Sequence, residues 1–78
     1  MFLTTATPIQ VNSTLIANVV YDMAGSLLEV EFRDGAIYQY SAVPEAVYQV
    51  LIAADSKGAY FNRQIRNHFR YRRVRPPK

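Results

Sequence analysis

LLEVEFRDGAIYQY, residues 27–40, is the stretch whose reading decides the fold. Leu28, Val30 and Phe32 alternate with Leu27, Glu29, Glu31 and Arg33, the period of a half-buried strand. Asp34-Gly35 then signals a hairpin, and AIYQYSAV, residues 36–43, is the returning strand. The loop length sets which face the tyrosines take. A two-residue Asp-Gly turn pairs Phe32 with Ile37 and places Tyr38 and Tyr40 beside Glu31 and Glu29. A three-residue loop, Arg33-Asp34-Gly35, pairs Phe32 with Ala36, Val30 with Tyr38 and Leu28 with Tyr40. A one-residue slip turns every side chain to the other face, so burial of apolar surface selects the second register. Tyr38 and Tyr40 are therefore expected on the core side, with hydroxyls at its edge. Under the shorter turn they would instead form an exposed platform like those on which single-strand binders stack bases.

Upstream, TLIANVVYD (14–22) is rich in β-branched and aromatic residues and reads as a strand. Met23-Ala24-Gly25 follows as a turn, with Gly25 free to take positive φ. Residues 1–12 have weak periodicity, are interrupted by Pro8, and read as a loosely docked lead. Downstream, Pro44 opens a helix, with Glu45 at the positive end of its dipole. Val43, Val47, Val50, Leu51 and Ala54 form its apolar stripe, widened by Tyr48 and Ile52, and Asp55 ends it. Ser56 caps a second helix over roughly 57–67, whose Phe61 and Ile65 face inward. Tyr60, Arg63 and Asn67 share another face, flanked by Arg66 and Lys57. FRYRRV (69–74) alternates again and suits a short edge strand, and Pro76-Pro77 ends the ordered part. The class is α+β: a three-stranded antiparallel meander followed by two helices packed on one face, with a short C-terminal strand as an optional addition.

Seventy-eight residues support a single domain, here 13–74, between the lead at 1–12 and a basic tail at 75–78. Half the residues are hydrophobic, enough for a core. There is no cysteine, so no disulfide or thiolate metal site is available, and a cytoplasmic location is the expectation. His68 alone does not make a zinc site. MFLTTATPIQ has neither a basic start nor a continuous apolar run, so it does not read as a signal peptide. No apolar stretch approaches the ~20 residues that span a bilayer.

The net charge of +3 conceals a split. All six acids (Asp22, Glu29, Glu31, Asp34, Glu45, Asp55) face Arg33 alone in residues 1–55, a net −5. Residues 56–78 hold Lys57, Arg63, Arg66, Arg70, Arg72, Arg73, Arg75 and Lys78 and no acid, a net +8. Such asymmetry points to a polyanionic partner.

The order of motifs resembles the KTSC domain family. That family is named for a segment at the C-terminus of some lysyl-tRNA synthetases, and it also occurs as a stand-alone small bacterial protein. The resemblance runs over about residues 13–74. It rests on the Ser13-to-Tyr21-Asp22 strand, Leu28-x-Val30-x-Phe32, Tyr38-Gln39-Tyr40 and Val43-Pro44-Glu45. Ser56-Lys57-Gly58-x-Tyr60-Phe61-Asn62, Ile65-Arg66 and Tyr71 complete it. The resemblance implies no established activity. RNA binding is the role suggested for the family, through the synthetase context.

Catalytic motifs are missing: there is no Gly-x-Ser-x-Gly, phosphate loop or zinc pattern, and the expectation is a non-enzyme without cofactor or metal. Glu29 and Glu31, two apart on one strand face, read as part of a solvated sheet face rather than paired catalytic carboxylates. The basic segment is the candidate site. Arginine forks suit phosphate oxygens, which assigns Arg63, Arg66, Arg70, Arg72 and Arg73 to phosphate contact and Tyr60 to base stacking. Single-stranded RNA fits such a surface better than a duplex does. The competing assignment is a protein-interaction module docking through Leu27, Ile37, Glu29 and Glu31. A membrane-surface role is not expected, because the second helix is too short and too polar.

Overall fold

The computed structural model describes the backbone of Ile9–Gln10 and residues 14–78. Five strands form one antiparallel sheet in the order of the chain: β1 Ile9–Gln10, β2 Ile16–Asp22, β3 Leu27–Phe32, β4 Ile37–Tyr40 and β5 Tyr71–Arg75. Between β4 and β5 run α1 (Glu45–Ala53) and α2 (Lys57–Tyr60), the latter continuing into a π-helical turn over Phe61–Ile65. The three-stranded meander is thus extended on both sides. The C-terminal strand forms, two residues later than the sequence period began it. Two residues of the lead pair with Val19 and Asn18, and the rest of 1–13 lies outside the described residues.

The β3–β4 hairpin adopts the three-residue loop. Leu28 pairs with Tyr40 and Val30 with Tyr38, and the Phe32 N–H donates to the Ala36 carbonyl at 2.8 Å. The Gly35 N–H donates to the Phe32 carbonyl at 2.9 Å, and Gly35 itself sits at φ +96. Asp34 Oδ1 accepts from the Ala36 N–H at 3.0 Å, which fixes the exit of the loop. Left-handed backbone costs a glycine little, and this is where the hairpin requires it. At the β2–β3 turn the corresponding conformation falls on Ser26 (φ +53) and not on Gly25 as expected. Asp22 Oδ1 takes the Ala24 N–H and tightens the start of that turn, which shifts the left-handed residue onward.

The register generates four rows across the sheet. Val19–Val30–Tyr38–Arg73 and Tyr21–Leu28–Tyr40–Tyr71 lie on the inner face. Val20–Glu29–Gln39–Arg72 and Asn18–Glu31–Ile37–Arg75 lie on the outer one. The inner rows pack with Val43, Leu51, Phe61 and Ile65 into one core, so both helices cover a single face as expected. Ser56 caps α2 through its hydroxyl, which accepts from the Ala59 N–H. In α1 the buried stripe is narrower than its sequence period: Leu51 is buried, Val47, Tyr48 and Ile52 half-buried, and Val50 is exposed. Tyr48 stacks on Tyr21 at 4.8 Å and turns the helix so that Val50 points to solvent.

Two expectations for the outer face and the C-terminus are corrected. Glu29 is fully buried, not solvated, and Val20 and Ile37 are buried beside it. The Gln39 amide donates to Glu29 Oε1 at 3.1 Å and accepts from Arg72 Nε at 3.4 Å, a chain of polar contacts along one row. Among the described residues, Glu29 Oε2 has no hydrogen-bond partner. Order also continues past Pro76-Pro77, because the Lys78 N–H donates to the Asp34 carbonyl at 2.8 Å. No helix among the described residues is long and apolar enough to cross a membrane.

A Cβ at position 35 would meet the Lys78 stem at 2.5 Å and would occupy left-handed backbone. Gly35→Ala is expected to lower stability by roughly 1–2 kcal/mol. Urea unfolding should show a lower midpoint at constant m-value. An unchanged midpoint would show that the loop relaxes freely.

Candidate functional site

The inner face is covered unevenly, and the uncovered part is a cleft. Tyr48 of α1 stacks over β2, and Phe61 of the π turn meets Phe32 and Tyr40 edge-on, each with ring centroids 5.4 Å apart. Neither helix extends over β5. Tyr38 therefore stays half-buried, while Tyr71, opposite Tyr40, is 52% exposed. The three tyrosines contact one another: Tyr38 with Tyr40 at 6.4 Å, Tyr38 with Tyr71 at 5.5 Å and Tyr40 with Tyr71 at 5.6 Å. Their rings line a cleft of about 520 Å³.

Two turns supply the polar rim. The β3–β4 loop brings Arg33 and Asp34, and the segment after the π turn brings Arg66 and Asn67. The expected regular helix over 57–67 does not form beyond Tyr60. The Arg66 N–H reaches back to the Phe61 carbonyl at 2.8 Å, a five-residue closure, and Asn67 then takes left-handed backbone at φ +69. The wider turn still buries Phe61 and Ile65 together. It also delivers Arg66 to the cleft, its guanidinium 5.7 Å from the Phe61 ring centroid. A π turn inserted in a helix is a frequent mark of a functional position.

Burial pushes the Tyr40 hydroxyl up to about 12, with the nearby Arg66 charge partly opposing the rise. Tyr40 is therefore a neutral donor and acceptor at physiological pH. Burial also raises Tyr48.

The sequence-expected arginines do not share one surface. Strand alternation sends Arg73 to the Tyr38 row and Arg72 to the Gln39 row on the opposite face. Arg66 lines the cleft. Arg63 is exposed on the π turn, and Arg70 is exposed just before β5, its carbonyl accepting from the Ser41 N–H. Arg75 is committed to structure: it pairs with Glu31 at 2.8 Å and donates to the Gly35 carbonyl at 2.8 Å. Tyr60 is half-buried against the core, so among the described residues the exposed aromatic is Tyr71. Sequence reasoning missed Arg33, Asp34 and Asn67. The loop length carried a signal for the first two, since it places them at the end of the inner face. Nothing in FNRQIRN marked the π turn that positions Asn67.

A small α+β domain of this topology, with its Tyr-x-Tyr on the covered face, has close counterparts. The KTSC domain matches residues 12–69, and the chain belongs to that family. A KTSC domain protein of Yersinia pestis superposes with a TM-score of 0.86 at 35% identity, over 88% of this chain and 97% of that one. A protein of Stutzerimonas stutzeri, described as uncharacterized, is 42% identical over 67 residues, which is 85% of this chain and 94% of its own. A lysine–tRNA ligase of Nostoc punctiforme is 33% identical over 61 residues, 78% of this chain but 11% of the ligase.

In an ultraviolet titration Tyr40 should ionise well above the ordinary phenol range, near pH 12. The neutral form is favoured in the fold, so its contribution to stability is complete below pH 10 and is lost as pH rises towards 12. Tyr40→Phe should abolish that part of the alkaline destabilisation. Arg66→Ala should move the Tyr40 step higher, because it removes the charge that favours the phenolate. A step that stays put would disprove the coupling.

Proposed function

We propose that this domain is a non-catalytic module that binds single-stranded RNA in the tyrosine cleft. The observation that carries the reading is the meeting of a partly exposed aromatic wall, Tyr38 and Tyr71, with the Arg66 guanidinium in one concave site. Aromatic rings stack on bases of any sequence, and arginines neutralise phosphates. Arg73, in the Tyr38 row, adds a second charge on the same face. Arg63 and Arg70 supply positive potential that draws a polyanion in without contacting it at the cleft. The similarity to a segment of lysine–tRNA ligases supports an RNA context for such a domain.

The competing docking surface is weakened by two of its own residues. Ile37 and Glu29 are both fully buried, which leaves Leu27 and a Glu31 already held by Asn18 and Arg75.

Fluorescence anisotropy with labelled single-stranded RNA, against a duplex DNA control, tests the proposal. Binding should weaken steeply with salt. Tyr71→Ala should cost about 1–3 kcal/mol. Arg66→Ala should reduce the slope of log affinity against log salt by about 0.7. Arg72→Ala, on the other face, should leave both nearly unchanged. No binding at low salt, or a larger effect from Arg72 than from Arg66, would contradict the assignment.

A further inference from the structure

The spacing of the tyrosine rings limits what the cleft can hold. A base inserted between two parallel rings needs them about 6.8 Å apart, twice the ~3.4 Å stacking distance of nucleic acid. Tyr38 and Tyr71 are 5.5 Å apart and tilted by 39°, and Tyr40 and Tyr71 are 5.6 Å apart and tilted by 37°. Tyr38 and Tyr40 are 6.4 Å apart. No pair among the three leaves a slot for a base, so a ligand stacks on the outside of the wall.

Little of that outside is open. Tyr40 is 3% exposed, enclosed by Tyr38, Tyr71 and the edge-on Phe61 ring. Tyr38 is half-buried, with Tyr40 stacked on it, Phe32 edge-on at 5.6 Å and Tyr71 beside it. Of the three rings, only that of Tyr71 belongs to a residue more than half exposed. The cleft in front is bounded by side chains from separate segments: Leu15 ahead of β2, Arg33 of the β3–β4 loop, Arg66 and Asn67 after the π turn, and Pro77 of the tail. Its volume of about 520 Å³ is that of a site for one small molecule. Sites that hold several nucleotides instead set successive bases on separate aromatic platforms along a groove that tracks the backbone.

Resting on the RNA-binding reading, we infer that the cleft takes a single nucleotide, with one base stacked on Tyr71 and the Arg66 charge beside it. The ligand class is an unstacked nucleotide, at the end of a strand or splayed from a loop, and not a run of stacked bases. Neighbouring nucleotides lie outside the cleft and gain only from the surrounding positive potential.

The experiment titrates adenosine 5′-monophosphate and the 5′-phosphorylated trinucleotide A3 into the isotopically labelled protein and follows tyrosine-ring NMR shifts. Elevated salt suppresses the contribution of the extra phosphates. Each further stacked base is worth at least about fivefold in affinity, so a three-base platform binds the trinucleotide at least about 25-fold more tightly than the mononucleotide. A single site gains only the statistical advantage of three equivalent bases on one chain, about threefold. Both ligands should shift the same Tyr38 and Tyr71 resonances, and Tyr71→Ala should weaken both by the same factor. Circular dichroism of the variant reports whether the fold is kept, and the wild-type comparison stands without any variant. A gain above about tenfold from mononucleotide to trinucleotide would overturn the single-nucleotide assignment while leaving RNA binding in place. So would a Tyr71→Ala variant that loses affinity for the trinucleotide alone. Binding of the mononucleotide without the trinucleotide would overturn the RNA reading and keep the one-nucleotide site. Failure of both to bind, at low salt as well, would overturn the RNA reading and the single-nucleotide site with it.

Discussion

The structure depends on the register of one hairpin. Three loop residues, closed by Gly35 in left-handed backbone, pair Val30 with Tyr38 and Leu28 with Tyr40. One residue fewer in that loop would move both tyrosines to the outer face and remove Tyr38 from Phe32 and Tyr40 from Phe61. The constraint propagates to β5, which takes its register from β4. Arg72 and Arg73 are consecutive, yet they lie on opposite faces because the strand period is two. A cluster of arginines in the chain thus becomes two sets in space. Arg75 closes the circuit by bonding back to Glu31 and the Gly35 carbonyl, so the last strand also clamps the loop that set the register.

The helical layer then decides what stays open. It is short, and its anchors lie on β2, β3 and the end of β4: Tyr48 on Tyr21, Phe61 against Phe32 and Tyr40, and the Tyr21 hydroxyl bonded to the Val43 carbonyl that leads into α1. Tyr38 and Tyr71 are left at the edge of the core, where aromatic surface is partly solvent-exposed and therefore available to a ligand. An amphipathic ring at such an edge loses little on folding and offers a stacking face at low entropic cost. The π turn completes the arrangement by burying Phe61 and Ile65 while directing Arg66 to the cleft.

Much of this was legible in the chain. The alternation of residues 27–33, the Asp34-Gly35 pair and the apolar content of AIYQYSAV together specified the hairpin and the side its tyrosines take, because one register buried far more apolar surface than the other. Ser56 as a cap and Phe61 and Ile65 as inward residues followed from local chemistry. Other features depend on partners distant in the chain. The burial of Glu29 could not be read from LEVEF, whose alternation is that of a one-sided sheet. The exposure of Val50 follows from the Tyr21–Tyr48 stack, which fixes the rotation of α1. The π turn has no sequence marker, so the expected Tyr60–Arg63–Asn67 face was drawn on the wrong helical period. The charge split identified a basic segment, but only the strand register sorted it by face.

The proposed ligand surface is the tyrosine cleft on the helix-covered face, and not the basic segment as a whole. Titration of single-stranded RNA into the isotopically labelled protein, followed by amide and tyrosine-ring NMR shifts, tests it most directly. Salt-sensitive shifts should concentrate at Tyr38, Tyr71, Arg66 and Asn67, with Gln39 and Arg72 on the outer face little changed. Shifts spread evenly over Arg63, Arg70, Arg72 and Arg73, with the tyrosine rings silent, would contradict it.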